Sequence, residues 1–245
     1  MAGVPLIAAA ASIRPALEEI STRYNEVRGE SVRLVFGSSG TLANQIATGA
    51  PYVLFLSANT SYVQRLVGLG LTQGSPVTYA EGVLALYSRS GLLGETENPL
   101  MALDDALQNG AVQRLVIANP EYAPYGSAAR AALKHVGSWT RARQVLLLGA
   151  NAGQAVQYAL QGDVDVALVP LPLARLAKLH ETGRLQVLPK ETFPSVELHQ
   201  QMVLLPGADQ KTREFFAYLQ STDSQGIFMR HGLLVPGPAN LALQP

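Results

Sequence analysis

Two adjacent hydroxyls, Ser38 and Ser39, sit between Gly37 and Gly40, where one hydrophobic pattern gives way to another. Val32, Leu34 and Phe36 alternate as a strand face does, whereas Leu42 and Ile46 recur at helical spacing before Gly49 and Pro51 end the run. The first amides of a helix lack internal partners and carry partial positive charge. Hydroxyls placed beside them add neutral donors, and that combination suits an anion. Ser12 occupies an equivalent place: Val4–Ala11 reads as a strand, Ser12 as an N-cap, and Ile13, Leu17, Ile20 and Tyr24 as a helix face that tolerates Pro15 in its first turn. Tyr125–Gly126 and Asn151–Ala152 open two later helices in the same way, which makes four such turns.

Other chemistries fit these residues less well. A serine at a helix start is usually only a cap. Ser39 as a hydrolase nucleophile would need glycine at positions 37 and 41, and position 41 is Thr. His135, His180, His199 and His231 are scattered without metal-ligand spacing, so no metal cation is expected. Asp163 and Asp165 alternate at the exposed end of a strand, and Glu18–Glu19 and Asp104–Asp105 read as solvent faces. Amino-acid recognition pairs an Arg for the carboxylate with an acid for the ammonium, and the turns offer only Arg14.

The elements that carry the turns alternate. Val53 to Leu56 is a third strand, Ser57-Ala58-Asn59-Thr60 a cap, and Val63, Leu66 and Val67 a helix face. Strand–helix alternation predicts parallel sheets with helices on both faces. Thr78 to Ser88, interrupted by Gly82, is an extended stretch that carries the chain from one sheet to another, and Ser90 to Asn98 reads as loop. Strands follow at Leu115–Ala118, Val145–Leu148 and Val164–Val169, and a helix face is expected over Leu173, Leu176, Ala177 and His180. Leu198 to Leu205 reads as an extended return, with closing helices over Thr212–Leu219 and Thr222–His231. In open α/β sheets, ligands collect where strand carboxyl ends meet helix N-termini.

The bulk numbers narrow the class. At 245 residues, 48% hydrophobic and 15% charged, the chain is ordinary globular protein. Eighteen basic residues balance eighteen acidic ones, so no basic field points to nucleic acid or a membrane surface. The absence of cysteine excludes disulfides and thiolate chemistry. No apolar run is long enough to span a bilayer and no leader is visible, since Met1-Ala2-Gly3 runs straight into a strand. That start fits either a cytoplasmic protein or a mature secreted form with an added methionine.

The sequence resembles the periplasmic molybdate-binding proteins of ABC transporters, within the type II periplasmic binding proteins. The resemblance rests on Ala8-Ala9-Ala10-Ala11-Ser12, on the run from Gly37 through Gly49-Ala50-Pro51, and on Phe55-Leu56-Ser57-Ala58. It continues in Asn119-Pro120-Glu121-Tyr122-Ala123-Pro124-Tyr125-Gly126, in Leu133 to Trp139 and in Thr222 to Gly232, covering essentially the whole chain. It implies an α/β, two-lobed Venus-flytrap fold, each lobe a mixed, mostly parallel sheet with flanking helices. Residues 1–83 and 201–245 would form one lobe and 84–200 the other, hinged near Val83–Leu86 and Gln200–Val203. It further implies capture of molybdate, or tungstate, in an interlobe cleft, with delivery to the membrane subunits of an ABC permease. A different tetrahedral oxyanion such as sulfate, or another small anion, is the alternative. The contacts carried over are the hydroxyls and amides of Ser12 and Ser39 and the amides of Tyr125 and Ala152, with Ala11, Ser38 and Asn151 as additional candidates. The resemblance implies a periplasmic, monomeric, non-enzymatic protein without a cofactor, in which molybdenum enters only as oxyanion. Two positions depart from the family pattern. Val53 stands where an acidic residue is frequent, and Pro170 replaces a ligand-binding tyrosine of one branch, removing both hydroxyl and amide.

Overall fold

The computed structural model describes residues 3–94 and 96–236. Met1, Ala2, Glu95 and residues 237–245 lie outside the described residues, and so do those parts of the expected start, of the Ser90–Asn98 loop and of the first lobe. The chain begins with β1 (Leu6–Ala10), α1 (Arg14–Arg28), β2 (Arg33–Gly37), α2 (Ser39–Ala47), β3 (Leu54–Ser57), α3 (Thr60–Gly68) and β4 (Gln73–Glu81). A middle run follows: β5 (Leu84–Arg89), α4 (Pro99–Gln108), β6 (Leu115–Ala118), α5 (Pro124–His135), α6 (Trp139–Ala142), β7 (Leu146–Gly149), α7 (Ala152–Leu160), β8 (Val166–Pro170), α8 (Leu171–Leu176) and β9 (Gly183–Val187). The chain then returns through β10 (His199–Leu204), α9 (Gln210–Tyr218) and α10 (Thr222–Arg230). It divides into two compact units, one built from residues through Gly82 together with those from Leu198 onward, the other from Val83–Glu197.

In the first unit the sheet order is β2-β1-β3-β10-β4. Strands β2 and β3 both run parallel to β1, and β10 is antiparallel to β3 and β4. The parallel strands are covered on both faces, as such strands generally are. Ile7, Ala9, Leu54, Leu56, Met202 and Leu204 pack into one cluster with Leu17, Ile20 and Phe228. The alternate residues Ala8, Phe55 and Val203 join Leu42, Ile46, Val63 and Leu66 in another. The period of two in the strands therefore sorts side chains between two cores.

The second unit repeats the plan with order β7-β6-β8-β5-β9. Here β7 and β8 run parallel to β6, and β5 is antiparallel to β8 and β9. Two glycines set how closely its helices approach the strand ends. A Cβ on Gly126 would come within 2.1 Å of the Ala118 carbonyl oxygen, and one on Gly149 within 2.7 Å of the Ala155 nitrogen. Only a residue without a side chain lets α5 and α7 begin where they do.

Several expectations are corrected. The anticipated loop ends where expected, and helix α4, for which the sequence reading had no counterpart, starts immediately after it, with Asn98 capping through its side chain to the Met101 amide at 3.3 Å and proline at the first position. Cap followed by proline is a helix start signal rather than a loop signal. Edge strand β9 had no counterpart in the sequence reading. The helix face through His180 stops at Leu176, and His180 falls in a separate 3₁₀ turn, Leu179–Glu181, entered through Lys178 at φ 51°. The chain passes between the two units at Gly82–Val83 and Glu197–Leu198, next to the segments expected to hinge, of which Leu84–Leu86 lies in β5 and Gln200–Val203 in β10.

Asp104 is not a solvent face. It is buried, and Oδ1 accepts from Ser138 Oγ at 2.7 Å and from the Arg141 guanidinium while Oδ2 accepts from Gln108 at 2.8 Å. The Arg141 hydrogen bonds hold its carboxyl below the usual carboxylate range. Asp165 is also structural, its Oδ2 accepting the amides of Gln113 and Arg114 at 2.9 Å.

Three substitutions test these contacts through stability. Asp104→Asn is expected to destabilise the protein by about 1–3 kcal/mol at neutral pH in urea denaturation. Because folding lowers this pKa, the contribution is present above the unfolded value of 3.8 and is lost as pH falls through the native one, so the two proteins converge in acid. Gly126→Ala is expected to lose about 2 kcal/mol or more, because backbone must move. Gly153→Ala meets only the Asn151 side chain at 3.2 Å and is expected to stay within about 0.5 kcal/mol of the parent by the same measurement.

Candidate functional site

The parallel strands of the first unit end on one edge, with Ala10 beside Gly37 and Ala9 beside Leu56. Three turns leave that edge. The one after β1 is a 3₁₀ turn, Ala11–Ile13, rather than a cap. The N-cap position of α1 is Ile13, which makes no side-chain cap bond. Ser12, expected to cap, is 2% exposed, and its Oγ has no hydrogen-bond partner among the described residues. A buried hydroxyl without a partner costs about 1–3 kcal/mol, so the capping explanation for this serine fails. Ala11 is buried in the same turn, and its carbonyl accepts the Arg14 amide.

After β2, the cap is Ser38 and not Ser39. Ser38 Oγ accepts the Thr41 amide at 3.4 Å and shares a 2.7 Å bond with Thr41 Oγ1. Ser39 is instead the first residue of α2, where its amide has no intrahelical acceptor. Its side chain is fully buried, and Oγ accepts the Ala58 amide at 3.0 Å. Ala58 follows β3 directly, so that one bond ties the second turn to the third. Arg14 has other business: its guanidinium lies 4.2 Å from the Phe36 ring centroid and 3.2 Å from Glu18. Val53 is structural, donating its amide to Leu6 and accepting from Leu205.

In the second unit β6, β7 and β8 likewise end on one edge. The Asn119 amide donates to the Gly149 carbonyl at 2.7 Å, and its Oδ1 accepts the Glu121 amide, folding the loop back. Helix α5 then begins at Pro124 with no side-chain cap, which puts the Tyr125 amide in its first turn and the Tyr125 ring in the interior, 2% exposed. Asn151 caps α7 by accepting the Gln154 amide at 3.1 Å, and Ala152 is the first helical residue. Pro170 ends β8 and offers no donor, and the following amide, Leu171, is bonded to the Val83 carbonyl at 2.9 Å.

Each unit therefore presents a set of neutral donors at strand carboxyl ends, and the candidate positions in both sets carry no carboxylate. Donors of this kind replace the water shell of an anion without a counter-ion. Among the described residues no group of three metal-ligating side chains occurs, and no helix is long and apolar enough to cross a membrane. Sequence reasoning missed the Ser39–Ala58 bond, because it joins residues nineteen apart through the meeting of two strand ends.

The chain matches the family of bacterial extracellular solute-binding proteins over residues 5–234. It is 31% identical over 180 residues, 73% of this chain and 67% of the other, to the molybdate-binding protein ModA of Azotobacter vinelandii. It is 27% identical over 232 residues to ModA of Rhodobacter capsulatus, covering 94% and 88% of the two chains. The solved Azotobacter vinelandii periplasmic molybdate-binding protein superposes with a TM-score of 0.85 at 26% identity, over 95% of this chain and 100% of that one. The sulfate-binding protein SubI of Mycobacterium tuberculosis shares the fold, with a TM-score of 0.75 at 16% identity. By a match that runs almost end to end, this chain belongs to the bacterial extracellular solute-binding proteins.

Proposed function

We propose that this protein captures molybdate, and tungstate with it, and delivers the anion to the membrane subunits of an ABC transporter. The observation that carries the reading is the buried, unpartnered hydroxyl of Ser12 in the turn that leaves the same sheet edge as the donor-bearing start of α2. The relatives named for molybdate binding supply the ligand's identity. Ser12 and Ser39 are the contacts assigned in the first unit, and the Tyr125 and Ala152 amides those in the second. Ala11, Ser38 and Asn151 are left to shape the turns, because the Ser38 and Asn151 side chains are engaged as caps. The protein works as a periplasmic monomer without a cofactor, molybdenum being cargo.

The chemistry follows from the donor set. Hydrogen bonds to a charged group contribute roughly 1.5–3 kcal/mol each, so several must converge to offset the lost hydration of a dianion. Pro170 cannot contribute, which places more of the binding on the hydroxyls of the first unit.

A thermal-shift panel of molybdate, tungstate, sulfate, phosphate and chromate tests the proposal. A ligand at a hundredfold excess over its Kd adds about 2.7 kcal/mol, or about 5–10 °C for a chain of this size. Molybdate and tungstate are expected to produce that shift at micromolar concentration, and a panel in which only sulfate does so would replace the ligand. In calorimetry, Ser39→Ala is expected to weaken molybdate binding about 10–100-fold. Ser12→Ala is expected to weaken it as well while leaving the ligand-free protein equally or more stable, because it deletes an unsatisfied buried group. A Ser12→Ala protein that loses stability but keeps its affinity would remove Ser12 from the site.

A further inference from the structure

We propose that Tyr79 is a positioning residue for the oxyanion site, acting through the Ser57–Ala58 peptide on the Ser39 hydroxyl. The inference rests on the oxyanion reading above, in which Ser39 donates to the anion, and it extends that site to a strand the reading does not use.

Tyr79 lies on β4, and the sheet order puts β10 between it and β3. Its side chain nevertheless reaches across. Gln200 pairs with Ala80 and Gln201 with Thr78, so Tyr79 is the extra residue of a bulge. Bulges bend the strand and re-aim a side chain. The Tyr79 ring is buried, 5.2 Å from the Phe228 ring between centroids. Its hydroxyl stands 2.9 Å from Gln200 Oε1 and 3.4 Å from the Ser57 carbonyl oxygen. Ser57 lies opposite Gln201 in the ladder, and a carbonyl oxygen has two lone pairs, so strand pairing leaves one for Tyr79.

The groups stand in line. Tyr79 O–H points to the Ser57 C=O, the N–H of that same peptide donates to Ser39 Oγ at 3.0 Å, and the Ser39 proton is left for the anion. Ser39 and Ser57 are both fully buried, where hydrogen bonds are electrostatically stronger than in water. Every dipole in the chain points the same way, so each bond polarises the next. Tyr79 has one proton for two acceptors, and the shorter bond gives Gln200 the larger share. An anion that draws on the Ser39 proton makes the Ser39 oxygen a better acceptor for Ala58. Through the peptide it makes the Ser57 oxygen a better acceptor for Tyr79, and the proton's share moves toward Ser57. Ser12 has no such chain behind it, because its Oγ has no partner among the described residues.

Calorimetry with molybdate tests this on Tyr79→Phe, which keeps the ring and its packing, alone and combined with Ser39→Ala or Ser12→Ala. Tyr79→Phe is expected to weaken molybdate binding about three- to tenfold. In the Ser12→Ala background the same factor is expected, and in the Ser39→Ala background a change of less than about twofold, because residues that act through one another are not additive. A merely structural loss would carry into both backgrounds. Tyr87→Phe removes a hydroxyl 3.1 Å from Thr182 Oγ1 in the second unit and is expected to leave the affinity unchanged. The second readout is the carbon-13 resonance of the tyrosine Cζ. The chain has nine tyrosines, so the line missing from Tyr79→Phe identifies Tyr79. That line is expected to shift on saturation with molybdate in the unmodified protein and to stay in place in Ser39→Ala. Unchanged affinity in Tyr79→Phe, an equal loss in Tyr87→Phe, an undiminished effect in the Ser39→Ala background, or a Cζ line that moves equally without Ser39 would overturn the inference and leave the oxyanion function intact. Failure of the unmodified protein to bind molybdate would instead remove the functional reading and this inference with it.

Discussion

A backbone amide at the start of a helix has no acceptor within its own helix, and that unmet valence is the constraint on which the structure turns. Parallel pairing brings three strand ends to one edge in each unit, and each strand feeds a turn or helix that begins there. The consequence is a concentration of N–H groups at one rim of each sheet. Natural caps consume some of them, as Ser38 and Asn151 do. Before α5 no side chain makes a cap bond, and after β1 the Ser12 hydroxyl has no partner among the described residues.

The rest of each unit holds that rim in place. The alanines of β1 allow helices to pack on both sheet faces, with Ala8 and Ala9 entering separate cores. Gly126 and Gly149 let the helices of the second unit begin in van der Waals contact with the strand ends. The buried Asp104 cluster is satisfied within the protein, with partners on both carboxylate oxygens. The bare Ser12 oxygen shares its state with Tyr24 Oη and Gln186 Oε1 among the described residues, and of the three it alone stands in a turn at the strand carboxyl ends; native proteins retain few such groups without a use for them.

The family relationship and the donor arrangement support the same reading from independent directions. The former rests on an almost full-length match, the latter on where hydroxyls and amides stand relative to strand ends. A neutral donor set also explains how a chain with balanced charge could hold an anion, since the work is done by fixed dipoles rather than by a basic field.

Local order was written in the sequence. The alternation around Phe36, the glycine-flanked serines and the helical spacing of Leu42 and Ile46 determined a strand, a turn and a helix, because backbone preference and side-chain period act over a few residues. The same logic placed Leu198–Leu205 as an extended return, although nothing local said that its strand would run antiparallel to β3 and β4. Helix α4 was legible too, in the cap and first-turn proline of Asn98-Pro99. What each serine does was decided by tertiary structure. Ser12, Ser38 and Ser39 are chemically identical and all stand where a strand gives way to a helix, yet one is orphaned, one caps and one receives a bond from Ala58. Those fates depend on which backbone groups arrive from neighbouring strands, and a hydroxyl's partners are fixed by distances of a few tenths of an ångström that no spacing along the chain encodes.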